Sequence, residues 1–516
     1  MASLDWWVLG TYLAGMLGLA VYLGRRQRTA QDYFLAGNGM PSGALAASTI
    51  ATQCSTNSLL GAPAFVGFTV GGGLVWLQYE LAVPLAMAAL LWLLVPVRQA
   101  GVTSVFEILE TRLGTASRRL ASAAFLVFRG VATGVTIYGV ALVLAAILDI
   151  SFFWSVCLLM TVTVLYDLLG GLQAVVVSDL IQLGLLVVTV LVSVWLIADS
   201  TGWEAFFASR TDTLVADWGV TGNDYGFWPM LIGGFFLYVA YYGCDQSQAQ
   251  RVLAAADDRG AQRVLLLNGL LRFPLVLSYC LLGLGLAAYA SQHPAFINTL
   301  PLTGAGQPNY NMVFPAYVMQ QFQTGFVGLV MVGLIAAAMS SIDSAINSLS
   351  AATMQDFVKP FTSLSSRREL LFSRLATLFW GVFSVVFSFY VEAIAPTVLE
   401  AINKIGSMAN GPLLALFTVA VLLDGVPQRA ALAGFGVGLL ANLVVALGLP
   451  DVSWLWWNVV GFVASLTVTG LWQLSTGRGV TVATYRYPPR QRTIFALLAM
   501  AVLIFLICVA FDQLPR

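Results

Sequence analysis

The strongest constraint on this chain is its succession of long apolar stretches. Each stretch is close to the ~20 residues that cross a bilayer as a helix, and hydropathy predicts about fourteen of them. Because backbone polar groups in lipid must be paired within the segment, these stretches predict an all-α, polytopic membrane protein. The predicted spans lie at roughly 4–24, 42–69, 73–97, 120–147, 151–168, 173–198, 227–247, 263–289, 323–355, 371–392, 395–424, 429–448, 453–474 and 492–511.

The composition agrees with this fold class. The chain is 59% hydrophobic and 9% charged, and its net charge is zero. These values lie outside the range of soluble proteins, and they do not support a nucleic-acid partner. The five cysteines lie in apolar stretches without metal-site spacing and are interpreted as small core residues. No loop is large enough for a catalytic domain and no nucleophile or metalloprotease motif is present, so residues 1–516 are predicted to form one membrane domain that is not an enzyme.

The loop charges predict the orientation in the membrane. Arginine and lysine fall in alternate loops, whereas the loop at 199–226 holds only Arg210 and the loop at 290–322 holds none. Since positive residues stay on the cytoplasmic side, both termini are expected outside the plasma (inner) membrane. The residues placed inside are Arg25, Arg26, Arg28, Arg98, Arg112, Arg118, Arg119, Arg251, Arg259, Arg263, Lys359, Arg367, Arg368, Arg429, Arg478, Arg486, Arg490 and Arg492.

Two predicted spans carry polar runs that a lipid-facing helix would not have. The second span reads Ser-Thr-Ile-Ala-Thr-Gln-Cys-Ser-Thr-Asn-Ser at 48–58, and the seventh reads Tyr-Tyr-Gly-Cys-Asp-Gln at 241–246. Interrupted helices at matching positions of two halves are typical of transporters built from inverted repeats, with the binding site near the midplane. The alternative is that small polar residues only let helices pack closely.

A third polar run lies within an apolar span and combines hydroxyls with a carboxylate. Ser340, Ser341 and Ser344 surround Asp343 within five consecutive positions. Polar groups at membrane depth are expensive unless something polar binds there, and oxygen ligands suit a small hard cation. The run therefore predicts a bound Na⁺.

Four motifs in order resemble the sodium/solute symporter family. They are Asp-Tyr-Phe-Leu-Ala-Gly at 32–37, Gly-Gly-Leu-Gln-Ala-Val at 170–175 followed by Ser-Asp-Leu-Ile-Gln at 178–182, Asp-Gln at 245–246 followed by Gln-Arg-Val-Leu at 250–253, and the serine-rich run at 340–347. The resemblance implies a LeuT-type core of two inverted five-helix repeats, at 42–198 and 227–424, with extra helices at 4–24 and 429–511. It also implies Na⁺-coupled import of a small solute by alternating access.

The resemblance further implies two cation sites. The first, similar to the family's common sodium site, would use backbone carbonyls of Ala51, Cys54 and Ala337 with the hydroxyls of Ser340 and Ser341. A possible second site would use Asp179, Ser340, Asp343 and Ser344. Here the chain departs from the family pattern, because Asp343 stands where serine or threonine is common. Two interpretations stay open: Asp343 adds a charged Na⁺ ligand, or it pairs with a buried arginine or carries a proton and holds no ion.

Buried charges and tyrosines indicate the substrate pocket by the same resemblance to sugar and sialic-acid carriers. Three cations near one cavity exceed what a single carboxylate neutralises, which favours a small organic anion or an acidic sugar. A neutral sugar or polyol, an amino acid and, from another class, a substrate-gated channel are the alternatives. Each charge could instead form an internal pair, Arg272 with Glu80 or Asp245, and Arg129 with Asp343. The predicted pocket residues are Ser58, Glu80, Arg129, Tyr238, Tyr241, Asp245, Arg272 and Lys404.

Overall fold

The fold is almost entirely helical. The computed structural model describes residues 2–25, 27–54, 56–207, 212–302, 306–391, 398–476, 479, 481–483 and 488–513, without the side chains of 57 and 398–403. The helices are α1 (Ser3–Gly24), α2 (Ala30–Leu35), α3 (Ser42–Gln53), α4 (Thr56–Phe68), α5 (Trp76–Glu80), α6 (Ala82–Gln99), α7 (Glu107–Arg112), α8 (Thr115–Leu148), α9 (Phe152–Thr201), α10 (Trp203–Phe207), α11 (Gly234–Cys244), α12 (Gln246–Leu253), α13 (Asp258–Gln292), α14 (Val313–Gln321), α15 (Phe326–Ala352), α16 (Ser366–Ser388), α17 (Val398–Leu422), α18 (Gln428–Gly448), α19 (Leu455–Thr476) and α20 (Gln491–Asp512). Two short strands, β1 (Leu423–Asp424) and β2 (Thr481–Val482), pair antiparallel.

Short segments of other helical types extend or join these helices. Two of them are π-helical, and each continues directly into or out of an α-helix. The π-helical segments are Pro229–Gly233 and Thr353–Val358, and the 3-10 segments are Ala36–Asn38, Gly73–Val75, Pro294–Thr299, Tyr310–Met312 and Lys359–Phe361.

Eleven helical runs within the described residues are long and apolar enough to cross a membrane. One of them, α9, is 50 residues long and turns at Gly171, where φ is 51° and ψ is −163°. Only glycine adopts this backbone conformation readily, and a Cβ there would lie 2.7 Å from Tyr33. The sequence predicts two spans over this run, at 151–168 and 173–198. The chain is thus a helical, multi-pass membrane protein, and the count of about fourteen spans stays a prediction. The first residues of the span predicted at 395–424 lie outside the described residues.

The two predicted interruptions coincide with helix breaks. Helix α3 ends at Gln53, Cys54 adopts φ −80° and ψ 63°, and α4 begins at Thr56. Helix α11 ends at Cys244, and Asp245 is extended while its carboxylate caps α12 by accepting the backbone N–H of Ser247. Helix ends leave backbone groups unpaired, and at membrane depth these are tolerated only inside the protein or beside a cavity.

Helix α15 is the central element. All residues from 330 to 352 are buried, and the helix packs against α9, α8, α1, α16 and α3. Its first turn is capped by another helix, because the carboxylate of Asp5 on α1 accepts the backbone N–H groups of Gly325 at 2.7 Å and Gly328 at 2.8 Å. An anion at a helix N-terminus satisfies unpaired donors and the helix dipole. Helix α1 therefore holds one end of the helix that carries the serine-rich run.

Candidate functional site

A large cavity begins at the break between α3 and α4 and runs to one end of the helix bundle. Its volume is about 870 Å³. At the mouth it meets loop residues that follow α9, α13 and α18, among them Tyr225, Asn309 and Trp454. A cavity of this size lined by aromatic groups and a few polar ones is typical of a small-molecule site. Its inner wall includes Thr52, Cys54, Ser58, Tyr79, Arg129, Tyr238, Tyr241, Arg272, Ser341 and Ala345.

At the inner end of the cavity, Ser341 joins α15 to the broken end of α3. Its hydroxyl lies 3.2 Å from the carbonyl oxygen of Thr52 and 3.2 Å from that of Ala337. The last carbonyls of α3, including those of Ala51 and Cys54, lack intrahelical donors and carry the negative end of the helix dipole. Neutral oxygens of this kind suit a monovalent hard cation. The residue that the sequence missed here is Thr52, whose carbonyl faces Ser341.

The neighbouring Ser340 faces a different cluster. Its hydroxyl donates to Oδ1 of Asp179, and both residues are fully buried. Adjacent helix positions point about 100° apart, since a turn takes 3.6 residues. The structure therefore brings Ser341 and Ala337 together with the end of α3 as predicted, but it directs the hydroxyl of Ser340 toward Asp179 instead.

Arg251 lies inside the Asp179 cluster, and its placement among the cytoplasmic loop arginines is wrong. The side chain is 0% exposed, because α12 folds back into the core after the break at Asp245. Its guanidinium donates to Ser344 Oγ and lies 3.2 Å from Thr52 Oγ1 and 3.5 Å from Asp179 Oδ2. A buried cation with a carboxylate and hydroxyls around it is a paired charge, which is the form in which charge is tolerated at membrane depth.

Asp343 shares this cluster without pairing directly with Arg251. Its Oδ1 accepts the backbone N–H of Ser344, and its Oδ2 is buried with no hydrogen-bond partner in the described part of the chain. The alternative pairing of Asp343 with Arg129 is wrong, because Arg129 forms its ion pair with Asp245. The role of Asp343 as a Na⁺ ligand stays a prediction.

Arg272 and Glu80 form a closed, buried ion pair on the cavity wall. The guanidinium donates to both carboxylate oxygens, at 2.8 and 2.9 Å, and the two side chains are 7% and 1% exposed. It also donates to the hydroxyls of Tyr238 at 2.8 Å and Tyr242 at 3.1 Å. Tyr242 was not predicted, although it lies four residues after Tyr238 and thus on the same helix face. Of the two internal pairings that the sequence left open for Arg272, the structure contains the one with Glu80, so the protein itself neutralises this charge.

Arg129 is the cavity cation with the weakest pairing in the described lining. Its NH1 lies 3.5 Å from Asp245 Oδ2, both side chains are 17% exposed, and its Nε is buried without a hydrogen-bond partner in the described residues. The ring of Tyr241 lies 5.8 Å from its guanidinium carbon. The guanidinium of Arg129 therefore keeps N–H donors available to a ligand, in the planar arrangement that matches a carboxylate. Lys404, predicted to share the pocket, lies on α17 outside the described cavity lining.

The opposite end of the bundle is held by ion pairs. Asp356 is buried in the π-helical segment that continues α15. Its carboxylate accepts from Arg118 at 2.7 Å and from the hydroxyls of Ser104 and Ser122 at 2.8 and 2.7 Å. Arg118 also pairs with Glu110, so this arginine, predicted in a loop, is buried at the start of α8. The Arg118 guanidinium, followed by the hydroxyl of Thr115, lowers the pKa of Glu110 below its usual value. The cavity thus opens toward one end of the bundle. At the other end, the ion pairs of Arg118 with Glu110 and Asp356 join neighbouring segments.

The chain matches known proteins over most of its length. The family model described as the sodium:solute symporter family matches residues 33–438. The sodium/sialic acid symporter NanT of Aliivibrio fischeri is 27% identical over 470 residues, which are 89% of this chain and 90% of that protein. A putative sodium-dependent multivitamin transporter of Drosophila melanogaster is 29% identical over 472 residues, 87% of this chain and 76% of that protein.

A solved structure shares the fold. The structure of a Na⁺-coupled sialic acid symporter in a substrate-bound, outward-open state superposes with a TM-score of 0.84 at 24% sequence identity. The match covers 93% of this chain and 100% of that one.

Proposed function

The chain belongs to the sodium:solute symporter family, and we propose that its cargo is a small organic anion, with an acidic sugar as the leading candidate. The protein is a Na⁺-coupled solute symporter that spans the membrane several times. Its relatives are transporters and not enzymes, and nothing in their family supports the channel alternative.

The incomplete pairing of Arg129 carries the proposal for an anion. Burying an arginine at membrane depth costs at least about 2.5 kcal/mol, so a counter-charge is favoured. Asp245 supplies it only at 3.5 Å, longer than a good charge-assisted hydrogen bond. A carboxylate in the cavity offers Arg129 a bidentate partner. Sialic acid, the cargo for which the relative NanT is named, is an acidic sugar and supports the same choice.

A neutral sugar or polyol is the competing cargo, and one observation favours it. The Arg272–Glu80 pair is closed and therefore neutral, and its Arg272 lines the cavity beside the rings of Tyr79 and Tyr238. Aromatic faces and neutral hydrogen-bonding groups suit an uncharged ring with hydroxyls. The two cargoes predict different roles for Arg129, because only an anion needs its positive charge.

The proposed Na⁺ site lies where Ser341 meets α3. It consists of the carbonyls of Ala51, Cys54 and Ala337 with the hydroxyl of Ser341, and Ser340 joins it only if its hydroxyl leaves Asp179. A Na⁺ here holds α3 against α15 beside the cavity and favours the state in which the cavity is formed. Since each ligand then binds one state better, Na⁺ and substrate raise each other's affinity.

The proposed two repeats, 42–198 and 227–424, each begin with a broken helix pair.

The proposed orientation, both termini outside, is supported by contacts at the ends of α1 and α20. Asp5 binds the segment that follows the loop at 290–322, and Asp512 accepts the backbone N–H of Thr213 at 3.4 Å. The cavity mouth lies among the same loops, and under the proposed orientation this supports an outward-open state.

Ligand binding by purified protein tests the cargo. Melting temperatures are measured with sialic acid, glucuronate, lactate, galactose and mannitol, each with NaCl and with KCl. A carboxylate is expected to raise the melting temperature in NaCl only, because a ligand that binds the folded state stabilises it. Arg129→Ala should remove this shift. Arg119→Ala, an exposed arginine on the same helix whose guanidinium lies over Phe361, is the matched control and should keep it.

A further inference from the structure

Tyr79, which lines the cavity from α5, lies directly against the first residue of α11, Gly234. A Cβ built on Gly234 would lie 2.6 Å from Cε2 and 2.9 Å from Cδ2 of the Tyr79 ring. Non-bonded carbon atoms pack at about 3.5–4.0 Å, so any side chain at position 234 would overlap the ring. The ring of Tyr79 therefore occupies space that only a glycine leaves open.

Gly234 lies on the face of α11 that carries the pocket tyrosines. Tyr238 and Tyr241 follow it by four and seven residues, which is the spacing of one helix face. The rings of Tyr79 and Tyr238 have centroids 4.9 Å apart, and the hydroxyl of Tyr238 accepts from Arg272. The contact between Gly234 and Tyr79 thus lies beside the proposed cargo site.

The backbone on each side of Tyr79 is held in place. Gln78 is fully buried, and its amide nitrogen donates to the carbonyl oxygen of Tyr225 at 2.7 Å and to the sulfur of Met230 at 3.2 Å. Glu80 belongs to the buried ion pair on the cavity wall. Because both neighbours of Tyr79 are anchored, α5 cannot retreat from α11 without breaking a buried contact.

Helix α11 is confined on its other side as well. A Cβ built on Gly233, at the end of the π-helical segment, would lie 2.6 Å from the backbone oxygen of Leu455 on α19. Since neither helix can retreat, a side chain at position 234 must displace the ring of Tyr79. The rings of Trp76 and Tyr238 flank this ring at 5.6 and 4.9 Å, so the open space into which it can turn is the cavity.

We propose that Gly234 is a positioning residue that sets the width of the cargo cavity through Tyr79, and that it admits carboxylates built on a six-membered ring. A side chain at this position narrows the cavity beside Arg272, which excludes a ring before it excludes a three-carbon acid. The inference rests on the proposed function and deepens it, because it names the size class of the anion.

The size selectivity of ligand binding tests this role. Dissociation constants of glucuronate and lactate are measured by calorimetry in NaCl. Gly234→Ala should weaken glucuronate binding by about tenfold or more and lactate binding by less than about twofold, whereas a merely structural defect weakens both. Gly184→Ala is the matched control, because a Cβ on Gly184, on α9, would meet no neighbouring atom within 4 Å. Equal losses for both ligands, or a wild type that binds lactate but not glucuronate, would overturn the inference.

A double variant shows whether Gly234 acts through Tyr79. In a Tyr79→Leu chain, Gly234→Ala should leave glucuronate affinity almost unchanged, because the shorter side chain leaves room for the Cβ. Residues that act through one contact show non-additive effects. Losses that add in the double variant would show that position 234 does not act through the ring, and would also overturn the inference.

Thiol labelling tests the cavity width without knowledge of the cargo. Ser58→Cys places a thiol on the cavity wall near the start of α4, and the variant is labelled with ethyl or benzyl methanethiosulfonate, with the parent chain as background. Adding Gly234→Ala should slow benzyl labelling several-fold more than ethyl labelling. An unchanged ratio of the two rates would contradict the proposed role of Gly234.

The same ratio keeps the test decisive if Gly234→Ala does not fold. Tyr79→Leu, which shortens the side chain on the other side of the contact, should then raise benzyl labelling of Ser58→Cys relative to ethyl labelling. A ratio that stays at the wild-type value would overturn the inference. A wild type that binds neither carboxylate would contradict the proposed anion cargo, whereas the labelling ratio still decides whether Gly234 sets the cavity width.

Discussion

The hydroxyl of Ser341 lies 3.2 Å from the carbonyl oxygen of Thr52, and this contact joins the central helix α15 to the broken end of α3. Both residues line the cavity. The proposed Na⁺ site and the proposed substrate site therefore share a wall. A cation that fixes this junction also fixes the shape of the cavity, which is a direct structural route for coupling the two ligands.

Replacing Ser341 with alanine should weaken Na⁺ binding by tenfold or more. The expected loss is about 1.4 kcal/mol or greater, since each such step is tenfold in affinity. Na⁺ titrations of intrinsic tryptophan fluorescence measure it. Ser348→Ala is the matched control, because Ser348 is buried on the same helix and its hydroxyl donates to the carbonyl of Ala345 on that helix. Equal Na⁺ affinity in both variants would remove Ser341 from the site.

Breaking the Arg272–Glu80 pair should destabilise the fold far more than breaking the Arg129–Asp245 pair. Removing one partner of a buried pair costs about 3–5 kcal/mol, because the other charge stays buried and unpaired. Glu80→Gln should therefore lower the melting temperature strongly, and Asp245→Asn only slightly, since its pair is longer and more exposed. Thermal unfolding in detergent compares them. Similar losses in both variants would contradict this ranking.

Asp356→Asn should weaken the contacts that Arg118 makes at the end of the bundle opposite the cavity mouth. The expected result is a shift of the protein away from the outward-open state. The substitution removes the charge that Arg118, Ser104 and Ser122 surround. A cysteine at Ser58, on the cavity wall, reports the state through its rate of labelling by a membrane-impermeant maleimide. Adding Asp356→Asn to Ser58→Cys should slow labelling several-fold relative to Ser58→Cys alone, with the parent chain as background. An unchanged labelling rate would show that the Asp356 cluster does not set the equilibrium between the outward-open state and the other states.

Asp5→Ala should cost about 0.5–2 kcal/mol, the usual value of a helix N-cap, because it uncovers the first turn of α15. Melting temperature measures the loss. Glu204→Ala, an exposed acidic residue on α10, is the control and should lie within about 0.5 kcal/mol of wild type. If Asp5→Ala melts like the control, the cap on α15 contributes nothing to stability.

The sequence predicted the helix breaks better than it predicted which side chains contact one another. Polar runs in apolar spans marked the breaks after Gln53 and Cys244, because a broken helix at membrane depth needs polar residues beside it. Hydropathy placed Arg251 in a loop, since a linear profile does not register that α12 turns back into the core. The Arg272–Glu80 contact joins residues 192 positions apart, and the sequence named it only as one of two pairings for Arg272 because no local pattern chooses between distant partners. Which carbonyl of α3 faces Ser341 depends on helix phase, which shifts by about 100° with each residue, and the sequence did not mark Thr52 as that residue.

Uptake into proteoliposomes tests the central claim most directly. Radiolabelled sialic acid, glucuronate, lactate and galactose are offered to wild type and to Arg129→Ala, with an inward Na⁺ gradient or an equal K⁺ gradient. The account predicts that at least one carboxylate accumulates in wild type under the Na⁺ gradient only, and that Arg129→Ala abolishes this uptake. Na⁺-driven accumulation of galactose with no carboxylate transported, or carboxylate uptake that survives Arg129→Ala unchanged, would contradict it.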